Sequence, residues 1–502
     1  MTDKSLKKII FLNTLTGWID KIVSILVNFI IRPFIIHGLG VSMFGVWEML
    51  NKMTDLMASA DFRAATTVKW FLSINREKES YWELNRKISA GFIASLCIIP
   101  LYLLIGSIIV YYSPLVTKVD SSYYLMVRIA SSILLLSFVV TQVFFIYEQI
   151  LQGMNMAYKR IGARAFITIL GGGLTYFVLK NAWGIPGLVG VNLFVVVTTG
   201  ITFWLVVREN LNWVRIHIVP WREVLSFIKI SFLFMIDKFL SIIHKSIDVL
   251  LLGYLLSSSI VAAYTISSYV IISLIGFINM IVASIITGVT PMVKENDVRK
   301  LLSSRSYILL IIIAIYSISA SFILLFNDSF IHLWTKEELF LGQLNNLLIL
   351  VFLFIRTLTD IDKSFLCMYL KVKIVNINSF VSLMVMVILT FILIKGFGVT
   401  GMLMGLILSQ LLFMFLNAYS LRKIVNIPLM SFVHIPYRMV IALLFVWIIS
   451  YRIGNLLKVD SWLELCICML LTLMLIIAYV LFVGLGKQQR AEVLKRIIVF
   501  KR

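Results

Sequence analysis

Residues 18–25 read Trp-Ile-Asp-Lys-Ile-Val-Ser-Ile, and residues 235–242 read Met-Ile-Asp-Lys-Phe-Leu-Ser-Ile. Five of the eight positions are identical, including an Asp-Lys pair inside an apolar segment. A second pair of segments, 179–187 and 394–401, is similar at an offset of 214 to 215 residues. Two matches at nearly the same offset indicate a tandem duplication, with chance similarity between apolar helices as the alternative.

The composition indicates an integral membrane protein. Of the 502 residues, 61% are hydrophobic and 14% are charged, with a mean hydropathy of +1.00. Apolar runs of about 20 residues recur along the chain, and each is long enough to cross a hydrocarbon core about 30 Å thick. Lipid offers no partners for backbone polar groups, and the runs are far longer than barrel strands, so we predict an all-α membrane fold.

We predict about fourteen transmembrane helices. The repeat offset covers six of them, an even number, so the two halves share one orientation in the membrane. This predicts a six-helix repeat at 1–210, a second at 211–425, and two extra helices with a basic tail at 426–502. The predicted spans are 9–37, 42–72, 89–112, 122–152, 165–180, 184–207, 224–253, 258–291, 306–326, 345–370, 374–394, 398–421, 436–451 and 463–485.

The net charge of +21 invites a nucleic-acid interpretation, but the cations lie at helix ends or singly inside spans. With a cytoplasmic N-terminus, 29 Lys and Arg residues fall in cytoplasmic segments and six in external ones. The positive-inside rule therefore predicts that both termini are cytoplasmic. The N-terminal apolar stretch runs to Gly38 without a small-residue cleavage site, so we expect it to be a retained span.

No connection between the predicted spans is long enough to hold a folded domain, so we expect the function to be carried out within the membrane. The four cysteines lie in apolar runs without metal-ligand spacing, which predicts no metal and no cofactor.

Ten cations lie inside the predicted spans, and facing each one to lipid would cost roughly 2.5–3.5 kcal/mol. They must pair with acids or line a wet cavity. In the first span Lys21, Asn28 and Arg32 share one helical stripe, and in the seventh Lys238 and Lys245 do the same. The predicted cationic cavity comprises Lys21, Arg32, Lys52, Arg63, Lys238, Lys245, Arg356 and Lys363.

Intrahelical ion pairs are an equally weighted alternative for Glu48 with Lys52 and for Arg356 with Asp360. A cationic cavity selects an anionic guest, and Arg and Lys suit a phosphate or pyrophosphate. Trp18, Trp47 and Tyr264 could stack on sugars, although aromatics in membrane helices more often serve packing.

Residues 32–47 read Arg-Pro-Phe-Ile-Ile-His-Gly-Leu-Gly-Val-Ser-Met-Phe-Gly-Val-Trp. This stretch resembles the loop between spans one and two of the polysaccharide and O-antigen flippases, which belong to the multidrug/oligosaccharidyl-lipid/polysaccharide (MOP) exporter superfamily. Residues 248–264 are similar to its counterpart in the second half, and residues 147–155 resemble the family's end of span four. Where the family often has a glycine after Asp61, this chain has Phe62-Arg63.

The resemblance implies a V-shaped pair of six-helix lobes plus two C-terminal helices. It implies a flippase, not an enzyme, that moves undecaprenyl-pyrophosphate-linked oligosaccharide across the bacterial inner membrane by alternating access. The partners it implies are an O-antigen polymerase and a chain-length regulator. The family exploits ion gradients, so a buried carboxylate could couple transport to one; the candidate acids are Asp55, Asp61, Glu148, Asp248 and Asp360.

Two alternatives stay open. A multidrug or cation exporter of the same superfamily would have the same helices, but its pocket should be acidic and apolar. A membrane polymerase or glycosyltransferase would also handle lipid-linked sugars, but such enzymes usually present a sizeable extramembrane loop with catalytic side chains.

Overall fold

The computed structural model describes residues 3–59, 64–75, 78–294, 298–369, 371–426 and 437–479. Throughout these ranges the regular structure is helical, which confirms the predicted all-α fold. Two short 3₁₀ turns, Ser121–Tyr123 and Ala157–Arg160, join the α-helices. The helices are α1 Asp3–Leu39, α2 Val41–Ser59, α3 Ala64–Asn75, α4 Tyr81–Thr117, α5 Tyr124–Gly153, α6 Ala163–Lys180, α7 Gly184–Asn210, α8 Trp221–Leu255, α9 Ser258–Lys294, α10 Val298–Thr335, α11 Gln343–Met368, α12 Val372–Val425, α13 Tyr437–Gly454 and α14 Trp462–Tyr479.

Within the described ranges, nine helical segments are long and apolar enough to cross a membrane, so the chain is a multi-pass membrane protein. Every predicted span overlaps one of the helices, but the second overlaps both α2 and α3, and α12 extends over two predicted spans. The total of fourteen spans stays a prediction.

Hydroxyl side chains inside the helices bond to the backbone one turn earlier. Ser131 donates to the Val127 carbonyl at 2.8 Å, and Thr357 donates to the Leu353 carbonyl at 2.8 Å. Because each hydroxyl finds its acceptor within its own helix, it can lie at membrane depth without an unsatisfied polar group.

Two glycines 214 residues apart have nearly the same positive φ. Gly184 begins α7 at a φ of +59°, and Gly398 interrupts α12 at a φ of +57°. Side chains at such φ values are strained, so glycine is the natural residue at both turns. Both positions lie in the second pair of similar segments, and the duplication stays a prediction.

The chain forms two compact units, Met1–Ala262 and Ala263–Arg502. In the first, α5 packs against α3, α4 and α7, α1 packs against α6, and α8 packs against α2, α3 and α4. In the second, α11 packs against α12, and α10 packs against α13 and α14. The predicted repeats end at residues 210 and 425 and do not coincide with the boundary between these units. Their limits stay predictions.

Candidate functional site

A polar cavity of about 420 Å³ lies in the first unit, between α1, α2, α6 and α7. Arg32 and Asn28 reach it from α1, and Trp47 from α2. Its lining combines charged groups, amides and hydroxyls with apolar walls. The polar residues are Asn28, Arg32, Glu48, Asn51, Lys52, Thr168, Thr175 and Asn192.

Two glycines on α6 shape the wall of this cavity. A Cβ added to Gly172 would lie 2.8 Å from Cγ1 of Val27 on α1, and one added to Gly171 would lie 2.6 Å from Cγ2 of Val195 on α7. Larger residues would force these helices apart. The glycines therefore let three helices approach closely while the polar side chains occupy the space between them.

The cations at the cavity have acid partners. Arg32 Nη2 lies 3.3 Å from Glu48 Oε1, which joins α1 to α2. Lys52 Nζ lies 3.5 Å from Asp55 Oδ2, three residues further along α2. Within the described ranges, Glu48 is therefore paired with Arg32 across two helices and not with Lys52 in its own helix.

A second charged cluster lies in the same unit, around Glu148 of α5. Arg160 Nη1 donates to Asp20 Oδ2 at 2.8 Å, and its Nη2 donates to Glu148 Oε1 at 3.3 Å. Arg164 also donates to Glu148 Oε1, at 3.0 Å. Among the described residues, Oδ1 of Asp20 and Nε of Arg160 are buried without a hydrogen-bond partner. The cluster thus holds two acids and two arginines at the junction of α1, α5 and α6.

Lys69 of α3 extends this cluster. Its Nζ donates to Gln152 Oε1 at 2.7 Å, and the Gln152 amide donates in turn to Glu148 Oε1 at 3.3 Å. Gly153 permits the approach, because an added Cβ would lie 3.0 Å from the Lys69 carbonyl oxygen.

The turn after α5 carries Arg160 back to the first helix. Asn13 of α1 donates to Asn155 Oδ1 at 2.6 Å and accepts the Tyr158 backbone N–H at 2.7 Å. Asn155 itself has a φ of +61°, a conformation that asparagine tolerates better than most residues. These contacts fix a 3₁₀ turn that ends at Arg160.

Sequence reasoning missed most of this cluster. It placed Arg160 and Arg164 in a cytoplasmic connection, and it did not choose Asp20 as a site residue, although Glu148 was among the candidate acids. The available signal was the polar pair Asn13 and Asn155, but a pattern cannot show that residues 142 positions apart are in contact.

Four further candidates, Lys21, Lys238, Lys245 and Asp248, are described by the structure but do not line the cavity. Lys21 is exposed on α1, and on α8 Lys245 is exposed, Lys238 is partly exposed and Asp248 is buried. Asp61 and Arg63 lie outside the described residues.

In the second unit, Arg356, Asp360 and Lys363 are partly exposed on α11. Arg305 of α10, which sequence reasoning assigned to a connection, binds the Asp362 carboxylate through Nε at 2.7 Å and Nη2 at 3.1 Å. Both side chains are buried, so this bidentate pair joins α10 to α11. In the described part of the chain no three His, Cys, Asp or Glu side chains group as metal ligands.

No protein-family model matches the chain, and neither does any curated protein. Solved structures do match. The lipid II flippase MurJ, in an inward closed conformation, is similar over 93% of this chain and 98% of its own, with a TM-score of 0.66 and 13% identity.

Two MATE transporters are similar as well. An inward-facing MATE family transporter of the MOP superfamily matches 82% of this chain and 94% of its own, with a TM-score of 0.56 and 16% identity. The Vibrio cholerae MATE transporter VcmN, in its bent form, matches 84% of this chain and 98% of its own, with a TM-score of 0.55 and 13% identity. At these identities the likeness shows the fold, which is that of the MOP-type transporters.

Proposed function

We propose that this protein is a flippase that moves undecaprenyl-pyrophosphate-linked oligosaccharide, an O-antigen or capsule repeat unit, from the cytoplasmic to the periplasmic leaflet of a bacterial inner membrane. The observation that carries this proposal is the likeness to the lipid II flippase MurJ along 93% of the chain. MurJ, which has this fold, is a flippase for lipid II, and alternating access through the membrane suits a chain that consists of helices.

The cations supply the contacts to the pyrophosphate. Arg32 and Lys52 reach the polar cavity from neighbouring helices, and each is paired with an acid. A pyrophosphate oxygen can replace the carboxylate as the acceptor, because arginine binds phosphate through two parallel hydrogen bonds and lysine as a point charge. The further substrate-binding residues in this proposal are Lys21, Arg63, Lys238, Lys245, Arg356 and Lys363.

The neutral side chains of the cavity supply contacts to sugar. Asn28, Asn51 and Asn192 each present an amide that both donates and accepts, as sugar hydroxyls do. Trp47 offers an aromatic wall, and the cavity volume is in the range of ligand pockets. This lining supports a hydroxylated head group over an apolar drug.

In this proposal, the residues that couple transport to an ion gradient are the candidate acids Asp55, Asp61, Glu148, Asp248 and Asp360. Asp20 joins them, because its Oδ1 is buried and has no hydrogen-bond partner among the described residues. A carboxylate with a vacant oxygen can take up a proton or a cation when the surrounding ion pairs rearrange.

A deletion strain tests the function. Cells without this protein should accumulate complete lipid-linked repeat units on the cytoplasmic leaflet, and purified protein in vesicles should move labelled repeat units between leaflets. An enzyme that extends the glycan would instead leave truncated units, and a polymerase would leave single units that had reached the periplasm.

The likeness to MATE transporters keeps a multidrug exporter as the second candidate. Hypersensitivity of the deletion strain to cationic drugs, with normal surface polysaccharide, would establish that function instead. Labelling of single cysteines tests the proposed orientation: residues 76–87 and 208–229 should react from the cytoplasm and residues 328–340 from the periplasm.

A further inference from the structure

A second pocket, of about 540 Å³, lies at the end of α7 and shares no residue with the polar cavity. Tyr147 of α5 and Trp204 of α7 form part of its wall. The segment after α7, residues 211–216, supplies most of the rest, and Arg208 and Arg215 are its two charged residues. The pocket is therefore a basic, aromatic-walled recess where a predicted membrane span ends.

Neither arginine has an acid partner in the described part of the chain, since no carboxylate there lies within 4.0 Å of either guanidinium. Glu223, the first acid after this segment, is bound by Arg86 and Lys87. The Arg208 guanidinium lies 5.5 Å from the ring centre of Trp204, which orients it but does not neutralise it. Two like charges in one recess repel each other, and an anion between them would be attracted by both.

The segment that carries Arg215 is held in place by α4. The Arg215 backbone N–H donates to Asn85 Oδ1 at 3.0 Å, and the His217 backbone N–H donates to Ser89 Oγ at 3.2 Å. The Asn85 amide also lies 3.1 Å from Nε2 of His217. Asn85 and Ser89 are both buried and lie one helical turn apart, so an otherwise irregular segment is fixed beside the pocket.

The residues around the pocket are of the types typical of a membrane surface. Tyr81 and Trp213 stack with their ring centres 5.0 Å apart, and Trp82 and Trp221 are exposed. Tryptophan and tyrosine are enriched where membrane and water meet. Ile218 is 97% exposed, which is unfavourable in water and favourable where its side chain enters the lipid.

We propose that this pocket binds the phosphate of an anionic phospholipid such as phosphatidylglycerol, with Arg208 and Arg215 as its ligands. Basic recesses at the ends of membrane helices bind acidic head groups, and guanidinium groups match phosphate geometry. The Tyr147 and Trp204 rings flank the phosphate, and Ile218 enters the adjoining acyl region. The bound lipid holds the connection between α7 and α8 at the membrane surface.

The test uses the purified full-length protein in neutral detergent. Native mass spectrometry and thermal unfolding are followed while phosphatidylglycerol, phosphatidylcholine or inorganic phosphate is added. We expect retention of phosphatidylglycerol with a raised Tm, and neither effect with the other two. The double variant Arg208→Gln/Arg215→Gln should bind phosphatidylglycerol about a hundredfold more weakly, since it loses two charge-assisted contacts, each worth about tenfold or more.

A matched control removes two exposed arginines elsewhere, Arg128→Gln/Arg452→Gln, and should bind phosphatidylglycerol as the parent does. Two milder variants keep the test decisive if the double variant does not fold. Arg208→Lys keeps the charge but removes the planar fork, and Asn85→Ala releases the segment that carries Arg215; both should weaken lipid binding.

Unchanged lipid retention in the folded double variant would overturn the proposal, as would an equal loss in the control variant. Protection by inorganic phosphate that matches protection by phosphatidylglycerol would also overturn it, because the site would then be one for free phosphate. None of these outcomes depends on what the protein transports.

Discussion

Arg160 and Asp20, 140 residues apart in the chain, form an ion pair with 2.8 Å between Nη1 and Oδ2. The same guanidinium contacts Glu148, and its central carbon lies 4.8 Å from the ring centre of Phe203 on α7. One side chain therefore joins α1, α5 and α7 through the turn after α5. Because its side chain is only 7% exposed, its charge is balanced by these contacts and not by water.

Arg160→Ala should destabilise the first unit strongly. The substitution leaves the Asp20 carboxylate buried and without its cation, and breaking a buried pair in this way costs roughly 3–5 kcal/mol. Thermal unfolding in detergent measures the loss. Arg164→Ala is the matched control, because the Arg164 side chain is 43% exposed and also contacts Glu148, and its loss should stay below about 1 kcal/mol. Equal losses in the two variants would contradict this account.

The Arg32 pair with Glu48 predicts opposite effects of two neutral substitutions. Arg32→Gln removes a phosphate ligand and should lower the affinity for lipid-linked oligosaccharide about tenfold, as expected for losing contacts to a charged group. Glu48→Gln replaces the negative carboxylate that competes for Arg32 by a neutral amide, a weaker acceptor, and should raise that affinity. Titration of purified protein with lipid-linked repeat units measures both.

Arg128→Gln, an exposed arginine that does not line the cavity, should leave the affinity as it is. If Arg32→Gln and Glu48→Gln weaken binding equally, the pair has a structural role and Arg32 is not a phosphate ligand.

The amide of Asn192 and the hydroxyl of Thr168 face the same cavity from α7 and α6. The double variant Asn192→Ala/Thr168→Val should bind lipid-linked oligosaccharide about tenfold more weakly, since two hydrogen bonds of about 0.5–1.5 kcal/mol each are lost. Its affinity for undecaprenyl pyrophosphate, which has no glycan, should be unchanged. Weaker binding of both ligands would mean that the variant disturbs the pyrophosphate contacts or the fold and not the contacts to sugar.

Gly45 marks a close contact within the first unit. A Cβ at Gly45 on α2 would overlap the carbonyl oxygen of Ser258 at the start of α9, and Ser42 and Ser258 share a hydrogen bond of 2.9 Å beside it. Gly45→Ala should therefore cost about 1–3 kcal/mol, because backbone has to move. Gly17→Ala in α1 meets nothing within 4 Å and should be neutral or stabilising by up to about 1 kcal/mol. Chemical denaturation of the two variants in detergent checks the contrast.

Much of the architecture follows from the composition and length of local sequence segments. Apolar runs long enough to cross the membrane predict helices, because no other open structure satisfies the backbone in lipid. The repeated Asp-Lys segments predict two related halves, and Gly184 and Gly398 in the second pair of similar segments both have a positive φ. These inferences need only composition, length and offset.

For the charged residues, the sequence predicts less than it does for the helices. Their unusual place inside apolar helices was visible in the sequence, but their partners depend on tertiary packing. Arg32 is paired with Glu48 from another helix, and Arg305 with Asp362, because the packed helices bring these groups within hydrogen-bond distance. Helical spacing could only suggest partners within the same helix.

Composition and run length were enough to predict a helical, multi-pass membrane protein, since the energetics of lipid act on each segment separately. Which ionisable groups meet could be read only from the packed helices. Arg160 lies in a connection by every local criterion, yet a turn fixed by Asn13 and Asn155 brings it to Asp20. A charge within an apolar segment has a high free-energy cost of burial, and this can be seen from its position in the chain. Which partner offsets that cost depends on how distant helices pack together.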